Sequence, residues 1–118
     1  MYSKRFRELF MHPKHAVEID YTHTAEAIYK RHDDRVRIFL RISDYIVKDA
    51  SFKASGCPRV IAASEALCRL LINVDVETAM NLNEEHIREE MDFHDKNFEC
   101  VRTPLIALKK ALSEFAER

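Results

Sequence analysis

The clearest pattern in the first half of the chain lies in residues 34–42, where Val36, Ile38, Leu40 and Ile42 alternate with Arg35, Arg37, Phe39 and Arg41. A period of two is what a half-buried strand requires, because successive side chains point to opposite faces. Ser43-Asp44 predicts a short turn, and residues 45–54 predict a return strand with Ile46, Ala50 and Phe52 on its inner face. The two strands make a hairpin with one face covered and one face wet. Upstream, residues 3–11 predict a short helix capped by Ser3, with Phe6, Leu9 and Phe10 on one side and His12-Pro13 at its end. Residues 16–21 (AVEIDY) alternate weakly and predict an edge strand. Residues 22–32 carry mixed signals and read as a loop or irregular segment.

After Cys57 the period becomes helical. Pro58 suits a first turn, and Val60, Ile61, Leu67, Cys68, Leu70 and Leu71 mark a helix to about Asn73. Asp75 and Asn83 cap two short helices that reach Asn81 and Met91. Residues 92–99 interrupt the pattern. Thr103-Pro104 then opens a last helix, with Leu105, Leu108, Leu112 and Phe115 at helical spacing. The fold class this predicts is α+β: an N-terminal helix, a small three-stranded antiparallel sheet, then a layer of helices on one face.

Composition narrows the picture. The 118 residues are one domain's worth of chain, 47% hydrophobic and 33% charged, with one glycine and three prolines, which excludes a disordered or low-complexity segment. Lys and Arg number 19 against 20 Asp and Glu, so there is no globally basic nucleic-acid binder. No apolar run approaches the length of a membrane span, and residues 1–6 hold no secretory apolar region. The expectation is a soluble protein of the cytoplasm, or of an organelle matrix if a targeting segment has been removed.

Three cysteines, Cys57, Cys68 and Cys100, predict free thiols in a reducing compartment. Such thiols are core filler, catalytic nucleophiles or metal ligands. Cys68 falls within an apolar helical face and reads as core. Cys57 and Cys100 each stand shortly before a helix, where the positive end of the dipole favours thiolate. His32 and Asp34 share the parity of Val36 and Ile38, so both project towards the covered face at the open end of the strand. A His, an Asp and two thiolates meeting at one edge of a two-layer fold suit zinc or cluster iron, and Glu99 adds a carboxylate. A Cys57–His32 nucleophilic pair oriented by Asp34 is a weaker alternative, lacking any second catalytic signature. Arg35, Arg37, Arg41 and Phe39, adjoined by Arg31, form a basic strand face. It reads chiefly as a solvated face with salt-bridged arginines, and otherwise as a surface for nucleic acid or an acidic partner. His86 and His94 read as surface residues, and nothing ties His12, His15 or His23 to the proposed site.

The segment FKASGCPRVIAASEALCRLL (52–71) resembles the NifU/IscU iron–sulfur cluster scaffold family, which has a strand ending in Gly-Cys before an Ala/Ser-rich helix. The N-terminal helix, the His12-Pro13 turn, Val17-Glu18-Ile19, VDVETAMNLNEEHIREEM and ECVRTPLIALKKAL resemble that family's other segments, in the same order. The resemblance implies a platform rather than an enzyme, carrying a nascent cluster of the [2Fe–2S] type, with zinc in the cluster-free state. It implies a cysteine desulfurase and cluster-accepting proteins as partners, with neither nucleic acid nor membrane. It places the family's second and third cysteines on Cys57 and Cys100, and its aspartate on Asp34. The first cysteine falls on His32 and the histidine before the third on Glu99. Imidazole ligates zinc or cluster iron but cannot carry sulfur as a persulfide. The family's chaperone-binding segment falls on residues 93–97 (FHDKN), and the resemblance does not extend to docking by that route. A degenerate paralogue that binds zinc or a partner without assembling clusters is the alternative.

Overall fold

Local capping defines the first element of the computed structural model, which describes residues 2–31, 33–95 and 99–116. The Ser3 hydroxyl accepts a hydrogen bond from the Phe6 amide at 3.0 Å and starts α1 (Lys4–Met11). α1 buries Phe6 and Leu9, and Tyr2 and Phe93 pack on the Phe6 ring. Three antiparallel strands follow, β1 (His23–Tyr29), β2 (Asp34–Ser43) and β3 (Ile46–Ser55), in the order β1-β2-β3. Residues 22–32 thus contain the first strand, and residues 16–21 do not form one. Ala25 and Ala27 oppose Ile38 and Val36 on the inner face, whereas the large Ile28 points outwards. With small residues inside and a large one outside, β1 lacks the apolar alternation that marks a strand. The segment before it crosses the edge of β3 with one backbone bond, Phe52 N–H to His15 O at 2.9 Å.

The β2–β3 turn lies on Asp44 and Tyr45, both left-handed (φ 54° and 64°), one residue later than the pattern indicates. Two left-handed residues match the twist of the flanking strands. A register shift between Arg41 and Ile42 then pairs Ile42 with Val47. That irregularity puts Val47 rather than Ile46 into the core beside Ala50 and Phe52. Phe39, expected on the wet face, is buried beneath the Tyr21 ring, with centroids 5.3 Å apart.

Helices α2 (Pro58–Leu71) and α5 (Arg102–Ala111) cover the inner face of the sheet, and α1 and α4 (Glu84–Met91) pack against α2. Asp75 and Asn83 cap α3 (Val76–Met80) and α4 as expected, with His86 completing a reciprocal cap on Asn83. The last helix is shorter than its spacing suggests. It ends at Ala111 with Leu112 as its cap, and α6 (Ser113–Ala116) sets Phe115 against His23 and Tyr45. No helix among the described residues is long and apolar enough to cross a membrane.

One buried charge fastens the N-terminal segment to this core. Glu65 of α2 is fully buried and accepts from His15 N at 2.8 Å, pairs with His15 Nδ1 at 2.7 Å and with Arg69 Nε at 2.9 Å. Burial alone would push its pKa up, but the hydrogen bonds from His15 and Arg69 outweigh that and hold it below the ordinary carboxylate value. Its contribution is therefore present above the ordinary carboxylate pKa and is lost as pH falls through the depressed folded value. Glu65→Gln is expected to cost about 1–2 kcal/mol at neutral pH and to flatten the acid limb of stability. Urea titrations between pH 7 and pH 3 check both, and an unchanged acid limb would refute the assignment.

Candidate metal centre

Asp34 is the first residue of β2, and its parity with Val36 turns the side chain inwards, where it is fully buried. A carboxylate there needs donors, and two are in place. Its Oδ1 accepts from the Cys57 backbone N–H at 3.1 Å, and its Oδ2 accepts from the Cys100 thiol at 3.5 Å. Cys57 is the N-cap of α2, in extended conformation and with no side-chain capping bond, so its thiol is left to face the site. Cys100 stands two residues before α5, and its Sγ lies 3.5 Å from that of Cys57. Donor atoms of Asp34, Cys57 and Cys100 all lie within 4.8 Å of one another.

Gly56 makes the approach feasible. Its φ of +137° lies in a region that side-chain-bearing residues rarely adopt, and a Cβ added there would stand 2.1 Å from Asp34 Oδ1. The chain's one glycine is the sequence signal for this cradle, although spacing alone does not connect it to Asp34.

The electrostatics favour a cation. Burial is the largest influence on the Cys100 thiol, followed by the hydrogen bond and charge of Cys57 and the charge of Asp34, and together they push its pKa far up. This reverses the expectation that the helix dipole makes Cys100 a thiolate, because desolvation and two like-charged neighbours outweigh a partial charge. A metal ion would offset the shift, because its positive charge stabilises the thiolate and takes the place of the thiol proton. Two thiolates on one tetrahedral zinc stand about 3.8 Å apart for Zn–S bonds of about 2.3 Å. The observed sulfur separation of 3.5 Å needs only a small adjustment to reach that. The donor set fits a soft or borderline metal.

Glu99 is not part of that cluster among the described residues. Its carboxylate accepts a hydrogen bond from Tyr29 Oη, and that bond, with burial second, raises the tyrosine pKa. Tyr29 is the partner of Asp34 in the β1–β2 register, so the pair ties the strand end that carries Asp34 to the segment that carries Cys100. Pattern reading had no route to Tyr29, because its strand was itself hidden. His32 lies outside the described residues, as do residues 96 and 97 of the segment aligned with chaperone binding. Cys68 is fully buried within α2, where burial drives its thiol pKa upwards, as a core residue requires. His86 and His94 are exposed. A cavity of about 160 Å³ between β1 and α5 is lined by Tyr29, Glu99 and Arg102 but by neither of the site's thiols.

Known proteins resemble this chain in sequence and in fold. The family model described as NifU-like N terminal domain matches residues 1–118. The chain is 25% identical over 85 residues to the iron–sulfur cluster assembly protein IscU of Plasmodium falciparum, covering 72% of this chain and 52% of that protein. It is 25% identical over 87 residues to the mitochondrial iron sulfur cluster assembly protein 1 of Debaryomyces hansenii, covering 72% and 49%. The chain thus spans about half the length of these curated relatives. Among solved structures it is similar to a candidate iron–sulfur cluster assembly scaffold protein for the SUF system of Fervidobacterium islandicum. The TM-score is 0.78 at 19% identity, covering 94% of this chain and 96% of that one. The N-terminal part of a nitrogen-fixing NifU-like protein of Brucella abortus superposes with a TM-score of 0.73 at 14% identity, covering 98% and 94%. At these identities the structural likeness speaks for the fold.

Proposed function

Because the chain belongs to the NifU-like N-terminal domain family, we propose that it is a scaffold on which an iron–sulfur cluster is assembled and from which the cluster passes to acceptor proteins. The observation that carries this reading is the convergence of Asp34, Cys57 and Cys100 within 4.8 Å at the open end of the sheet. The cluster is cargo, and the protein is a platform rather than an enzyme. Cys57 and Cys100 supply thiolates, giving up their protons as iron enters. His32 supplies an imidazole, as in Rieske-type sites. Asp34 supplies an oxygen donor that is harder than the thiolates, binds cluster iron less tightly and so eases release. A cysteine desulfurase provides persulfide-level sulfur, a separate reductant supplies the two electrons that bring each sulfur to sulfide, iron arrives separately, and zinc occupies the site when no cluster is present. Such a role fits the cytoplasm or an organelle matrix, where thiols stay reduced.

A second reading has a specific basis. By the resemblance, His32 falls where the family has its first cysteine and Glu99 where it has a histidine, and Glu99 is engaged by Tyr29. A chain so altered would keep the fold and bind zinc or a partner without building clusters. Anaerobic reconstitution with ferrous iron, a desulfurase, cysteine and a thiol reductant separates the two. A scaffold acquires a visible charge-transfer band with matching iron and acid-labile sulfide, dependent on Cys57 and Cys100. A colourless protein that retains only zinc overturns the scaffold role in favour of the second reading.

A further inference from the structure

The outer face of the sheet carries a charge arrangement that packing does not require. Glu26, Arg37 and Lys53 lie in one row across β1, β2 and β3, with Arg35 one row closer to the metal centre. Arg37 and Lys53 are direct cross-strand partners, a placement of like charges that destabilises a sheet. One carboxylate serves both guanidiniums: Glu26 lies 3.4 Å from Arg35 Nη1 and 3.9 Å from Arg37 Nε. Lys53 is exposed and makes no ion pair among the described residues. Together these side chains line an open concavity of about 260 Å³ that reaches Ser55. Ser55 leads through Gly56 to Cys57, and Arg35 directly follows Asp34. The concavity therefore backs onto the metal centre along two strands.

We propose that this concavity docks an extended, acidic segment of a partner protein, with carboxylates at alternate positions. The spacing argues for such a segment. Arg35 and Arg37 are two residues apart on β2, about 6.7 Å, which is also the repeat of every second side chain on an extended peptide. Lys53, one strand over at about 4.8 Å, is placed for a third acceptor. Two guanidiniums favour planar carboxylates, which they grip in a bidentate manner. Duplex nucleic acid is the poorer match, since its binding rests on many phosphate contacts and this concavity offers three cations. The proposal builds on the scaffold reading, since a platform must hold its suppliers and acceptors close to the cargo.

The test uses the zinc-loaded chain, a fluorescein-labelled peptide of alternating glutamate and threonine, and a single-stranded DNA of equal charge, all at low ionic strength. Lys53→Glu and Arg37→Glu are each expected to weaken peptide binding about tenfold or more, the loss of one charge-assisted contact or its reversal. Lys53→Glu is also expected to raise Tm by about 2–5 °C, because it turns a like-charge pair into an opposite-charge pair. Lys4→Glu and Arg7→Glu on α1 are expected to leave peptide affinity within about twofold. A more stable protein that no longer binds separates docking from folding. The proposal is overturned by no measurable peptide binding to the unsubstituted chain, by equal loss in the α1 variants, or by tighter DNA binding with the same dependence on Lys53. Cluster content scored in parallel isolates the scaffold reading: peptide binding that survives in a chain unable to form clusters removes that reading and leaves the surface.

Discussion

Replacing Cys57 with alanine is expected to weaken metal binding by about 100-fold or more, whereas Cys68→Ala leaves it unchanged. Removing a partner that merely orients a ligand costs 10–100-fold in typical sites, and loss of a donor atom exceeds that. Cys57 is the half-buried N-cap whose sulfur lies 3.5 Å from Cys100 and whose amide holds Asp34. Its truncation removes a thiolate and keeps the amide, so the effect isolates sulfur ligation from the positioning of the carboxylate. Cys68 provides the contrast, since its thiol is enclosed in the core. Its truncation leaves a small void and is expected to cost about 1–2 kcal/mol of stability without reaching the site. Chelator competition with zinc or cobalt, alongside iron content after reconstitution, checks the pair. Equal metal content in the two variants would remove Cys57 from the ligand set.

Gly56→Ala is expected to lower stability by about 3 kcal/mol and metal affinity by about tenfold or more. Two costs act together. The backbone at φ +137° is strained for any residue with a side chain, and the added methyl would sit 2.1 Å from Asp34 Oδ1. The carboxylate must then leave its place and lose the bond from the Cys57 amide, worth about 1.5–3 kcal/mol for a charged acceptor. A double-mutant cycle with Asp34→Ala separates the two. Removing the carboxylate relieves the clash but not the backbone strain, so the double variant should regain part of the stability and none of the affinity. Strict additivity in urea unfolding would show that Gly56 does not act through Asp34.

The same site shows how far pattern reading reaches. The parity of β2 is enough to turn Asp34 inwards, and the placement of Cys57 and Cys100 ahead of helices is visible in the order of apolar positions. Their meeting is not visible, because it depends on how β2, α2 and α5 close on one another over separations of 23, 43 and 66 residues. The Tyr29–Glu99 bond spans 70 residues and begins on a strand whose inner positions are alanines, so neither end announces the other. Glu65 looks like an ordinary exposed helix residue until His15, 50 residues earlier, is seen to cover it.

What the sequence determined by itself is local. Ser3, Asp75 and Asn83 cap helices because their side chains reach amides three residues on. Pro58 starts α2 because a first-turn residue needs no amide donor. β2 alternates because a strand has two faces. What only the tertiary structure decided is whatever depends on a neighbour distant in the chain. The shift at Arg41 and Ile42 selects Val47 for the core, Tyr21 covers Phe39, and two donors hold one carboxylate against a glycine. Capping and alternation act over a few bonds and are written in adjacent letters. Burial and ligand geometry depend on which surfaces close on each other, and that closure belongs to the whole chain.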